Sequence, residues 1–195
     1  MNSYPWGDIF VADFQGYYRS KISRQGRPGS RHSFRNTGKS SNQRRTVCLG
    51  VPSFGVERRG APVSAFCRIS DKEIRTHASI YEPDYVVVLD QGLIKLTNVL
   101  QGMKEDGTAI VNTSKTAAEL GLPENTVTFD ATSAALKFGL GSQTAPIVNT
   151  AILGAFARVC NAVSMSSIID CIKSSVPAKR EENAAAAEFA YGGVA

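Results

Sequence analysis

At 195 residues and 43% apolar composition, the chain is long enough for one domain with a substantial core and requires no second one. No apolar run approaches the roughly twenty residues of a membrane span and no charged-then-apolar leader is present, so the expectation is a cytoplasmic protein. The net charge of +5 suggests nucleic acid only until it is divided: residues 1–50 carry nine Lys or Arg against Asp8 and Asp13, whereas residues 51–195 carry thirteen against fifteen acids.

The basicity therefore belongs to the N-terminal quarter. Residues 15–46 are rich in Gly, Ser, Arg, Asn and Gln and hold almost nothing to bury. The first 45 or so residues are accordingly expected to be disordered or irregular, and residues 1–50 are set apart from a domain spanning 51–195. A basic arm of this kind can grip phosphates. Phe34 is its only aromatic residue between Arg19 and Leu49, however, and without a stacking platform nucleic acid is disfavoured as a partner.

Pro52 to Ser70, PSFGVERRGAPVSAFCRIS, is the most informative stretch. Gly55 and Gly60 bracket Glu57, Arg58 and Arg59, and Pro62 ends the turn. Two guanidinium forks in one loop suit a carboxylate or a phosphate, which makes these residues the first candidates for contact with a ligand or a partner subunit. The plainer alternative is that Glu57 pairs with an arginine and stiffens an exposed bend, an arrangement that contributes little.

From Pro62 to Ile69 the residues alternate, with Val63, Ala65, Cys67 and Ile69 on one face and Ser64, Phe66 and Arg68 on the other, the period of a strand near a sheet margin. Pro83-Asp84 leads into Tyr85–Leu89, a continuous apolar run suited to a strand buried on both faces, closed by Asp90. Gly92 to Met103 predicts a short helix and Thr108–Asn112 a strand. Ser114 is expected to cap a helix that stops at Gly121. Thr126–Phe129 predicts a third strand ending at Asp130, after which Thr132 or Ser133 starts a helix toward Phe138, broken by Gly139-Leu140-Gly141. Pro146 to Val159 predicts an amphipathic helix that buries Ile147, Ala151, Leu153, Ala155 and Val159. Two more helices, Met165–Ile172 and Arg180–Tyr191, complete the chain.

The alternation predicts an α/β fold: a Rossmann-like open, mostly parallel sheet flanked by helices, with a helical C-terminal third. Ligands of such sheets bind outside the carboxyl ends of the strands, which makes Asp90, Asn112 and Asp130 secondary crevice candidates. Each is equally a common cap or turn former. Cys48, Cys67, Cys160 and Cys171 form no C-x-x-C, so no metal or iron-sulfur ligands are assigned, and they fit structural roles in a reducing compartment. His32 and His77 stand alone. No acid-base pair or nucleophile constellation is visible, and no catalytic residue is assigned.

The string FGVERRGAP, Phe54 to Pro62, resembles a signature of the gamma subunit, or gamma domain, of the 2-oxoacid:ferredoxin oxidoreductases, the pyruvate synthase group. PDYVVVLD, Pro83 to Asp90, and PIVNTAILGAF, Pro146 to Phe156, support the resemblance, which covers Pro52 to about Tyr191. It implies a multi-subunit enzyme that decarboxylates pyruvate oxidatively, passes electrons through iron-sulfur clusters to ferredoxin and transfers the acyl group to coenzyme A. The alpha, beta and delta partners would hold thiamine diphosphate and the clusters, and this chain alone would bind no cofactor and not act alone. The resemblance places Glu57, Arg58 and Arg59, with Gly55 and Gly60, near coenzyme A or a subunit contact. Branched-chain 2-oxoisovalerate is the alternative substrate, and a nucleotide-binding domain with a basic RNA-binding arm is the alternative of a different class.

Members of that family open with a strand, a GRGGQG loop, a helix and a short strand before the turn, and this chain shows none of these in sequence. Arg24-Gln25-Gly26-Arg27-Pro28-Gly29 can be encoded so that reading one nucleotide later spells GRGGQ followed by an allowed glycine. The expectation is that about residues 1–50 are a frame-shifted translation of the family's usual start, with the frame restored near Val51.

Overall fold

The computed structural model describes residues 8–13, 47–53, 63–70, 80–160 and 163–194. The FGVERRG turn with Gly55, Glu57, Arg58, Arg59 and Gly60 lies outside them, as do His32, His77 and most of the basic N-terminal segment.

Among the described residues, eight strands and five α-helices follow in chain order. The strands are β1 (Asp8–Asp13), β2 (Val47–Ser53), β3 (Val63–Ser70), β4 (Tyr85–Val88), β5 (Thr108–Asn112), β6 (Thr126–Phe129), β7 (Gly141–Ser142) and β8 (Ala145–Pro146). The helices are α1 (Leu93–Leu96), α2 (Ala131–Lys137), α3 (Asn149–Val159), α4 (Met165–Ser175) and α5 (Arg180–Gly193). The first six strands form one sheet in the order β2-β3-β1-β4-β5-β6. β1, β4, β5 and β6 run parallel, and β3 pairs antiparallel with both β1 and β2. The mostly parallel sheet expected from sequence is therefore present.

Alternation along the parallel strands divides the core between the two faces of the sheet. Val87, Leu89 and Ile110 face α2, α3 and α5, where they pack with Ala134, Ala151, Ala155 and Phe156. Val86, Val88 and Val111 face the other way, onto Leu93 and Val99. Each fully buried side chain of this size contributes about 1.5–3 kcal/mol over an exposed one, so two dry faces explain why the strand sequences are continuous apolar runs.

Several elements depart from the sequence expectation, each for a local reason. β1 lies inside the stretch expected to be irregular, and it occupies the middle of the sheet between β3 and β4. β3 lies next to the edge strand β2, near the sheet margin as expected. Arg68 on β3 is only 6% exposed, and the register sets it opposite Asp8 of β1. The helix expected over Gly92–Met103 ends after one turn, because Thr97 leaves the helical conformation and its hydroxyl donates to the Leu93 carbonyl oxygen at 3.3 Å.

Ser114 caps nothing helical among the described residues. Instead Thr116 and Glu119 form a reciprocal capping box: the Thr116 N–H donates to Glu119 Oε2 at 2.7 Å and the Glu119 N–H donates to Thr116 Oγ1 at 3.3 Å. Only a 3-10 turn, Ala118–Leu120, fits before Gly121 stops it at φ 66°. Pro146 belongs to the small β7–β8 ladder, so α3 begins at Asn149. Leu153 of α3 is 41% exposed rather than buried, because α3 turns Ala151, Gly154 and Ala155 inward.

Candidate functional site at the carboxyl edge of the sheet

Three parallel strands deliver polar residues to one edge, and the structure shows how each side chain is used. Asn112, at the end of β5, is 7% exposed. Its Nδ2 donates to the Leu89 carbonyl oxygen at 2.9 Å and to Thr132 Oγ1 at 3.1 Å, while its Oδ1 accepts from the Thr132 N–H at 3.2 Å. One amide thus ties the end of β4 to the first turn of α2 across the end of β5. A buried amide satisfied in this way fixes the relative positions of the two flanking strand ends.

Asp130 ends β6 and caps α2. Its Oδ1 accepts from the Ser133 N–H at 2.8 Å and its Oδ2 from the Ser133 hydroxyl at 2.6 Å. The cap is therefore Asp130 itself rather than Thr132 or Ser133, two or three residues earlier than the sequence suggests. Asp90 shapes the turn after β4: its Oδ1 accepts from the Gly92 N–H at 2.7 Å. Leu93 N–H also donates to the Asp90 carbonyl oxygen, so this turn leads directly into α1.

Asn112, Asp90 and Asp130 are thus drawn to one sheet edge, but each bonds chiefly to its own neighbourhood. The edge also contains a pair that carries no pattern in the sequence. Thr113, buried beside Asn112, donates its hydroxyl to Gln91 Oε1 at 2.7 Å and accepts from the Lys115 N–H at 3.1 Å. Gln91 has no sequence signal beyond following Asp90, because its partner is twenty-two residues away.

The described cysteines are dispersed: Cys160 is buried, Cys67 partly buried and Cys171 exposed. Among the described residues no group of three or more His, Cys, Asp or Glu side chains could hold a metal ion. Nor is any described helix long and apolar enough to cross a membrane. What the edge offers chemically is hydrogen-bonding groups on a rigid frame, with neither a paired acid and base nor a nucleophile beside a base.

Residues 36–192 match the family described as pyruvate ferredoxin/flavodoxin oxidoreductase. The chain belongs to that family. Over 145 residues, 74% of this chain and 78% of the relative, it is 50% identical to pyruvate synthase subunit PorC of Methanocaldococcus jannaschii. It is 47% identical over 146 residues, 72% of this chain and 77% of the relative, to the pyruvate/ketoisovalerate oxidoreductases common subunit gamma of Pyrococcus furiosus. Among solved structures, pyruvate oxidoreductase subunit PORC (EC 1.2.7.1) of Thermotoga maritima superposes with a TM-score of 0.68 at 26% identity, covering 96% of each chain. Family membership accounts for the mostly parallel sheet and for the helical C-terminal third.

Proposed function

We propose that this chain is the gamma, PorC-type subunit of a multi-subunit pyruvate synthase, which decarboxylates pyruvate oxidatively to acetyl-CoA and reduces ferredoxin. The observation that carries this reading is the 50% identity over 145 residues to a pyruvate synthase subunit, of which 78% is matched. The chain works as a non-catalytic module, inactive alone, in a cytoplasmic assembly with alpha, beta and delta subunits.

In this reading thiamine diphosphate and the iron-sulfur clusters belong to those partner subunits. Bound there, thiamine diphosphate supplies the electron sink for loss of carbon dioxide. The contribution of this chain is to position and recognise. Arg58 and Arg59 hold a phosphate of coenzyme A or a partner carboxylate, with Glu57 orienting them and Gly55 and Gly60 shaping the loop. Asp90, Asn112 and Asp130 set the frame of the adjoining strand ends.

A second reading rests on the Pyrococcus furiosus relative, whose name describes a subunit common to pyruvate and ketoisovalerate oxidoreductases. A gamma chain of this type also fits an enzyme acting on 2-oxoisovalerate. Affinity purification of the tagged native chain tests the proposal: thiamine- and cluster-bearing subunits copurify under it, and an isolated monomer refutes it.

A further inference from the structure

The sheet ends at β6, and beside that outer strand three aromatic rings meet, Phe129 and Phe138 partly buried against the core and Phe189 exposed. Phe189 of α5 is 43% exposed. Phe129 at the end of β6 packs edge-on to it with ring centroids 6.4 Å apart, and Phe138, after α2, does the same at 5.9 Å. The ammonium of Lys137 lies 4.1 Å from the Phe189 centroid and 5.9 Å from that of Phe138. No carboxylate among the described residues forms an ion pair with it.

Two terms compete to explain this arrangement. Lys137 sits in the last turn of α2, where a cation is favoured by the helix dipole, and its cation–π contact is worth having in its own right. Lys137 covers part of the Phe189 ring, yet Phe189 still remains 43% exposed at the open end of the sheet. Aromatic anchors surrounding a cation with no acidic partner are the composition of an interface centre, where a facing carboxylate would be desolvated along with the rings.

We propose that Phe189, Phe138, Phe129 and Lys137 form a docking surface for another subunit of the oxidoreductase, one that presents a carboxylate flanked by apolar side chains. The proposal rests on the subunit reading given above. The aromatic rings supply the buried area and Lys137 supplies the charge that selects an acidic partner segment and sets its register. A second copy of this chain is a poorer occupant, because like patches would bring two Lys137 ammonium groups together.

The test uses the assembled complex and the full chain alone. Acylation of Lys137 by a water-soluble reagent is followed by peptide mass spectrometry, with exposed Lys95 as the internal reference. Lys137 is expected to react at least about tenfold more slowly in the complex than in the isolated chain, relative to Lys95. Carbodiimide treatment of the complex is expected to join Lys137 to an Asp or Glu of another subunit. F189S and K137E should each raise the dissociation constant of the chain at least about tenfold at a temperature where the melting curve of the isolated variant shows it fully folded. Tyr81→Ser, at the opposite end of the sheet from Phe129, should leave it unchanged. Equal reactivity of Lys137 in complex and free chain, or wild-type retention of both variants, overturns the proposal. If the wild-type chain retains no partner at all, the subunit reading itself fails and the docking surface with it.

Discussion

A Cβ atom placed on Gly154 would lie 1.8 Å from the carbonyl oxygen of Ala187, so α3 and α5 cross with backbone against backbone at this point. Ala151 and Ala155 on one helix and Ala186, Ala187 and Ala190 on the other make the same seam, all buried. Small residues here allow the C-terminal helix to lie close over the sheet-facing helix.

Gly154→Ala pits two effects against each other. Alanine improves helix propensity by about 1 kcal/mol, whereas forcing the helices apart costs about 1–3 kcal/mol or more. The separation needed to relieve a 1.8 Å approach is too large for a side chain to absorb, so the second effect wins. Urea unfolding should show a net loss of stability, and an unchanged or raised midpoint would show that the seam is looser than described.

Asn112→Ala strands the Leu89 carbonyl oxygen and the Thr132 N–H at a buried edge. The expected cost is about 1–3 kcal/mol. Because Asn112 braces the strand ends without reaching outward, stability should fall even in the isolated chain, before any assembly. An Asn112→Ala chain as stable as wild type would place the brace elsewhere.

Burial, and then the Cys160 thiol beside its hydroxyl, push the Tyr85 phenol above its ordinary value of 10.0. The fold favours the protonated form, so the contribution of Tyr85 is complete below the unfolded value and is lost as pH rises through the folded one. As pH rises above about 10 the stability of Tyr85→Phe should therefore fall less steeply than that of wild type. Parallel slopes in pH-dependent denaturation would contradict this.

Arg58→Ala with Arg59→Ala, made in the assembled complex, should raise KM for coenzyme A or weaken retention of the chain by about tenfold or more, since each lost charge-assisted bond is worth about 1.5–3 kcal/mol. Wild-type kinetics in a fully assembled enzyme would reduce the pair to an exposed turn.

The encoding of residues 24–29 gives a separate test. Under the frame-shift expectation the nucleotides for Arg24 to Gly29 spell GRGGQG one base later, and the N-terminal peptides of the native protein carry that sequence. Codons unable to spell it end the idea.

Much of the sheet was legible because β4 and β5 are unbroken runs of apolar residues, a pattern set by burial on two faces, and β6 carries β-branched residues bounded by turn formers. The stop at Gly121 was legible, but the end of α1 and the start of the Ala118–Leu120 turn were not. They depend on Thr97 and on the Thr116–Glu119 box, where side chains compete with the backbone over single hydrogen bonds. β1 was not legible because Asp8–Asp13 is a short apolar run in polar surroundings, and its central place depends on pairing with β3 and β4, fifty or more residues away. At the edge, Asn112 was visible as a strand terminator, but its bridge from Leu89 to Thr132 exists only once three strand ends converge. Glu57, Arg58 and Arg59 lie outside the described residues, so their role stands on the sequence string alone.

The most direct test of the central claim is pyruvate-dependent reduction of ferredoxin by the complex purified through this chain, assayed with and without coenzyme A. The account predicts reduction that requires pyruvate and coenzyme A, with acetyl-CoA formed in step, and its loss when this subunit is removed. A complex that retains full activity without this chain, or a purified chain with no associated 2-oxoacid oxidation, would contradict it.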